Sequence, residues 1–134
     1  MGLALDEISE DMIAELLELV SDLVWLANDL GSEGRQESEE TVDIDFMAIY
    51  ARERGVSETV ARRDLMRIYD ETVGSLQACI KRMLDVSAAA DVQDLIDVCC
   101  ANVDGNLVSM KLLEDRYPYT SALGTLARVS WKRI

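Results

Sequence analysis

The chain has 134 residues, 49% of them hydrophobic, with 13 Lys plus Arg against 26 Asp plus Glu, giving a net charge of −13. That apolar fraction excludes global disorder, and the length suits one domain with a sizeable core. Histidine is absent, which excludes Ser-His-Asp triads, Cys-His dyads, HExxH zinc sites and histidine general bases.

Neither a GxGxxG nor a GxxxxGK(S/T) phosphate-binding motif is present. The chain is therefore expected not to be an enzyme, with no catalytic residues and no cofactor. Its three cysteines, Cys79, Cys99 and Cys100, are too few and too awkwardly spaced for a disulfide framework or a thiolate metal site, and read as small buried thiols. No run approaches 18 consecutive apolar residues, and the early Asp6, Glu7, Glu10 and Asp11 replace the basic region of a signal peptide. A cytoplasmic protein without a membrane partner is expected.

Charge divides unevenly. Residues 1–45 hold 14 acidic groups and only Arg35, whereas residues 46–134 hold 12 of each sign. In the acidic part, Met12, Leu16, Leu19, Leu23, Leu26 and Leu30 step by fours and threes, with Ile13, Leu17, Val20 and Val24 beside them. The spacing predicts a long amphipathic helix over 1–30. Its stripe suits a bundle core, and its near-heptad repeat also suits a dimer seam. The opposite face collects Glu7, Asp11, Glu15, Glu18 and Asp22, then Asp29, with no interleaved cation. Gly31, Ser32 and Gly34 then predict a stop, and residues 31–43 read as an acidic linker.

Beyond it, residues 44–84 show a short helix, a break at Gly55, a capping Ser57 and a longer helix. That second helix buries Val60, Leu65, Ile68 or Tyr69, Val73, Leu76, Ile80 and Leu84. This is the grammar of a helix-turn-helix. The stretch from Ala51 to Leu65, with its GVSE turn and RRDL run, resembles the helix-turn-helix of DeoR-type bacterial repressors. The long second helix, without a following wing, is also similar to the helical part of HU-like proteins. The DeoR resemblance implies that the second helix enters the major groove, with Ser57, Glu58, Thr59, Arg62, Arg63 and Arg67 on its DNA-facing side. The segment itself is neutral, since five arginines meet five carboxylates between Phe46 and Glu71.

Residues 85–134 are predicted to hold the remaining helices: one from Ser87 with Val92, Leu95, Ile96, Cys99 and Val103 inward, a turn at Asp104-Gly105-Asn106, and another from Leu107 to Asp115. A last short helix is expected in the tail, where Arg128, Lys132 and Arg133 are placed to meet the acidic first helix. A calcium loop around Asn102 to Lys111 is excluded, because Cys100 and Lys111 stand where carboxylates are needed.

The fold expected is all-α, a single-domain bundle of five or six helices with an embedded helix-turn-helix. The function expected is a small DNA-binding regulator, dimeric, with double-stranded DNA as partner. The alternative is a small acidic inhibitor, such as an anti-CRISPR, anti-restriction, antitoxin or immunity protein. It would bind a basic protein by charge mimicry through Glu7, Asp11, Glu15, Glu18 and Asp22.

Overall fold

The computed structural model describes residues 8–32, 46–112, 126 and 128–133. Ser9 opens the first helix, α1 (Glu10–Ser32), by accepting the Met12 amide at 3.2 Å, and Glu10 and Asp11 complement the positive end of the helix dipole. Leu16, Leu23, Leu26 and Leu30 are buried, with Met12 and Leu19 packed against them. The second stripe divides: Val20 is buried, whereas Leu17 stands 51% exposed. Because the leucine stripe is consumed inside the bundle, it is not the dimer seam that its repeat suggested. The predicted stop at Gly31 falls at Ser32, and residues 33–45, nearly all of the acidic linker, lie outside the described residues.

The second helix, α2 (Phe46–Arg54), ends where Gly55 adopts φ +66°, so that the Val56 amide reaches back to the Ala51 carbonyl at 3.0 Å. A left-handed glycine just past a helix satisfies carbonyls that would otherwise be orphaned. Ser57 accepts the Val60 amide and starts α3 (Glu58–Val86), as its sequence predicts. Within α3 the choice left open between Ile68 and Tyr69 resolves in favour of Tyr69, which is fully buried with Ala61, Leu65, Val73, Leu76 and Ile80.

Residues 87–89 turn the chain into α4 (Ala90–Leu112). The turn predicted at Asp104-Gly105-Asn106 does not form. Glycine weakens a helix by about 1 kcal/mol, but Val103, Leu107 and Met110 carry the stripe of Val92, Ile96 and Cys99 onward into the core, and burying each stabilises by roughly 1.5–3 kcal/mol. Continuation wins, and the separate helix expected from Leu107 merges into α4. The tail is likewise corrected: residues 128–133 are not helical. They are fastened to α4 by the Val129 amide on Asp104 at 3.1 Å and by Arg133 on Asp94 and Asp97 at 2.8 and 2.6 Å. Arg133 thus meets α4.

Among the described residues the protein is all-α with four helices and no strand, fewer than the five or six expected. α1 runs antiparallel to α3, with Met12 and Glu15 beside Cys79 and Arg82, and Leu26 beside Leu65. α4, folded back from α3, runs in the direction of α1, and Asn106 meets Val24 and Asn28. All three cysteines are free and buried. No described helix is long and apolar enough to cross a membrane.

Candidate functional site

Two features lie close together along the axis of α1. The first is a cleft of about 190 Å³ between α1, α2 and α3, lined by Asp22, Trp25, Leu26, Tyr50, Leu65, Ile68 and Thr72. Trp25 is 39% exposed and donates its indole N–H to Asp22 at 3.4 Å. Tyr50 donates its hydroxyl to Asp64 at 3.4 Å and carries the Arg54 guanidinium 5.0 Å above its ring. The cleft is an apolar seat with aromatic walls and one carboxylate.

The second feature is the C-terminal end of α1. Asn28 and Asp29 follow Trp25 by three and four residues, about 4.5–6 Å along the helix, and Ser32 comes one turn after Asn28. The last turn of α1 contains no basic residue, although the partial negative charge of a helix end favours a cation there. Asn28 is exposed and its Oδ1 accepts from Asn106 Nδ2 at 3.2 Å, which also approaches the Val24 carbonyl at 3.5 Å. Asp29 is half-buried. Among the described residues no three His, Cys, Asp or Glu side chains converge in the way that would hold a metal ion. The side-chain donors of Asn28 and Asp29 are oxygens of an amide and a carboxylate, the kind that Mg²⁺ accepts while retaining several waters. The absence of histidine excludes imidazole ligands and leaves this chemistry open.

The residues singled out for DNA binding occupy one helix start but not one uniform surface. Ser57 spends its hydroxyl on the cap; Glu58, Thr59 and Arg63 are exposed; Arg62 is half-buried. Arg67 pairs with Asp64 at 3.8 Å and Glu71 at 3.3 Å, all on its own helix. Of the acidic residues proposed to meet a basic partner, Glu7 lies outside the described residues, Asp11 and Glu18 are exposed, Glu15 is paired with Arg82, and Asp22 belongs to the cleft. The row is therefore broken. Reading the sequence for His and Cys ligands and for charge runs missed Trp25 and Asn28 and took Asp29 only as part of an acidic face; the legible signal was Asn-Asp near the end of a helix whose last turn holds no basic residue.

The sequence profile of the family described as Terpene synthase family 2, C-terminal metal binding, matches residues 2–75. No curated protein and no solved structure matches the chain. The family match takes in the whole segment that resembles the DeoR helix-turn-helix and overturns that resemblance. A glycine stop followed by a serine cap is the chemistry of any sharp helix junction, and here α3 uses it to lay Leu65 and Tyr69 against the core. The expectation that the chain is no enzyme is overturned with it, because the matched family is one of synthases; the absence of imidazole excluded only imidazole chemistry. With more than half of its length matched, the chain belongs to terpene synthase family 2, to the C-terminal metal-binding part.

Proposed function

We propose that this chain supplies the cation-binding helix end and an adjoining apolar seat for a synthase acting on an isoprenoid diphosphate. The observation that carries the reading is the helix end of α1, where Asn28 and Asp29 offer oxygen donors and the last turn contains no basic residue. A divalent cation bound there supplies positive charge for a diphosphate group, which this acidic end of α1 would otherwise repel. Trp25 and Leu26 precede those donors on the same helix and, with Leu65 and Ile68, offer a water-poor surface for hydrocarbon. The aromatic rings of Trp25 and Tyr50 add attraction for positive charge developing on a carbon skeleton. Asn106 orients the Asn28 amide from α4, holding its oxygen at the helix end.

Mn²⁺ titration of the whole chain, followed by calorimetry, tests this. Binding is expected, with Asn28→Ala and Asp29→Ala each weakening it at least tenfold while the helical circular dichroism stays unchanged. Equal affinity in wild type and both variants would remove the reading. A second reading, a DNA-binding regulator, rests on Arg63 at the start of α3, which is exposed and makes no ion pair with any described residue. A duplex gel shift at low salt that is lost in the Arg62→Ala, Arg63→Ala double variant would support it, and no shift in wild type would dismiss it.

A further inference from the structure

The cleft between α1, α2 and α3 is built with a polarity that neutral hydrocarbon does not need. Every side-chain hydrogen-bond donor on its lining is already spent within the protein. The Trp25 indole N–H goes to Asp22 at 3.4 Å, the Tyr50 hydroxyl to Asp64 at 3.4 Å, and the Thr72 hydroxyl to the Ile68 carbonyl at 2.7 Å. An occupant therefore meets the Asp22 carboxylate, two aromatic rings and the alkyl groups of Leu26, Leu65 and Ile68. Asp22 makes no ion pair with any described residue. The Arg54 guanidinium, 5.0 Å above the Tyr50 ring, is not part of the lining.

We propose that the cleft binds an amphipathic organic cation, a primary alkylammonium ion, with its ammonium group on Asp22 beside the Trp25 ring and its chain along Leu26, Leu65 and Ile68. The proposal rests on the reading of the cleft as a seat for hydrocarbon and not on a metal at the end of α1. Charge and donor count select this class. Any occupant strips water from Asp22, and a neutral chain leaves that carboxylate with the indole hydrogen bond alone, which is costly. An ammonium group supplies both the missing donors and the opposite charge, and the ring face beside it adds attraction. A carboxylate or phosphate ligand finds no free side-chain donor and a like charge. A bare metal ion is not served either, because one carboxylate in an apolar cleft falls far short of its oxygen shell.

Titration of the ¹⁵N-labelled full chain with hexylammonium, hexanol and hexanoate, in EDTA and 0.15 M NaCl, tests the proposal without engaging the metal. The readout is the backbone amide shifts of Leu26, Leu65 and Ile68. Hexylammonium is expected to bind about tenfold more tightly than hexanol, and hexanoate not at all. Asp22→Asn keeps an acceptor for the indole and removes the charge; it is expected to bring hexylammonium down to hexanol and leave hexanol unchanged. Trp25→Leu is expected to weaken hexylammonium more than hexanol. Asp85→Asn, at an exposed carboxylate about 20 Å beyond Thr72 along α3, lies outside the screening length and is expected to change nothing. Equal affinity of hexylammonium and hexanol for wild type overturns the proposal and leaves the hydrocarbon seat standing. Selectivity that survives Asp22→Asn, or that Asp85→Asn reduces as much, assigns the cation to the net charge of the chain and overturns it too. Binding of neither probe overturns the seat together with the proposal.

Discussion

The buried hydroxyl of Tyr69 makes no hydrogen bond with any described residue, and burial, reinforced by Asp104 and Asp70, raises its pKa so that the phenol stays protonated. An unpaired buried donor is destabilising, so Tyr69→Phe is expected to leave stability unchanged or raise it by about 1 kcal/mol, read as a higher urea midpoint with the same slope. Leu23→Ala, at a fully buried position, is expected to cost about 2–5 kcal/mol by the same measurement. The thiols give a pH dependence. Burial is the main cause that pushes Cys100 up from 9.0 to about 12, with Asp104, Cys99 and Asp97 adding to it, and burial raises Cys79 and Cys99 as well. Between pH 9 and about 12 the unfolded chain has released the Cys100 proton while the fold retains it, so stability falls with rising pH across that window, and the raised Cys79 and Cys99 act in the same direction. Alkaline titration followed by circular dichroism checks this, and native thiols are expected to resist alkylation at pH 8 until urea is added.

At the level of elements, the junctions carry the architecture. Gly55 sits at φ +66° with open space around it, so Gly55→Ala introduces backbone strain and no clash. A loss of about 1 kcal/mol is expected, similar to that of Ser57→Ala at the α3 cap. Equal urea midpoints for either variant and wild type would show that the junction does not limit stability. The tail depends on α4 through Asp104, which accepts the Val129 amide, and through Arg133. Asp104→Ala is expected to speed exchange of the Val129 amide proton at least tenfold while amides of α1 and α3 keep their protection.

Across the whole molecule, charge governs behaviour. The described ion pairs, Arg67 with Asp64 and Glu71, Arg82 with Glu15 and Arg133 with Asp94 and Asp97, lie at the surface, and 26 acidic residues face only 13 basic ones. Screening of that repulsion is expected to raise the melting temperature by a few degrees between 20 mM and 0.5 M NaCl. Mg²⁺ at equal ionic strength is expected to raise it further if the end of α1 binds the ion.

The sequence by itself determined the helical class, the buried leucine stripe of α1, the Gly55 stop and the Ser57 cap, because each is set by local periodicity or by one residue's backbone and side-chain preference. The same local signals misread the Asp104-Gly105-Asn106 segment and the tail. A turn dipeptide competes with burial across the whole bundle, and only the packed partners of Val103 and Leu107 decide the outcome. They also suggested a DNA reader, since a capped junction looks alike whatever its second helix packs against. Which side of α1 remains open was a tertiary result. Leu16 and Leu17 are both leucines, and only the positions of α3 and α4 put one at the centre and the other at the surface. The cleft beside Trp25 and the Asn28–Asn106 contact have the same origin: they join residues 78 positions apart or bring three helices together, and no local pattern encodes such a meeting.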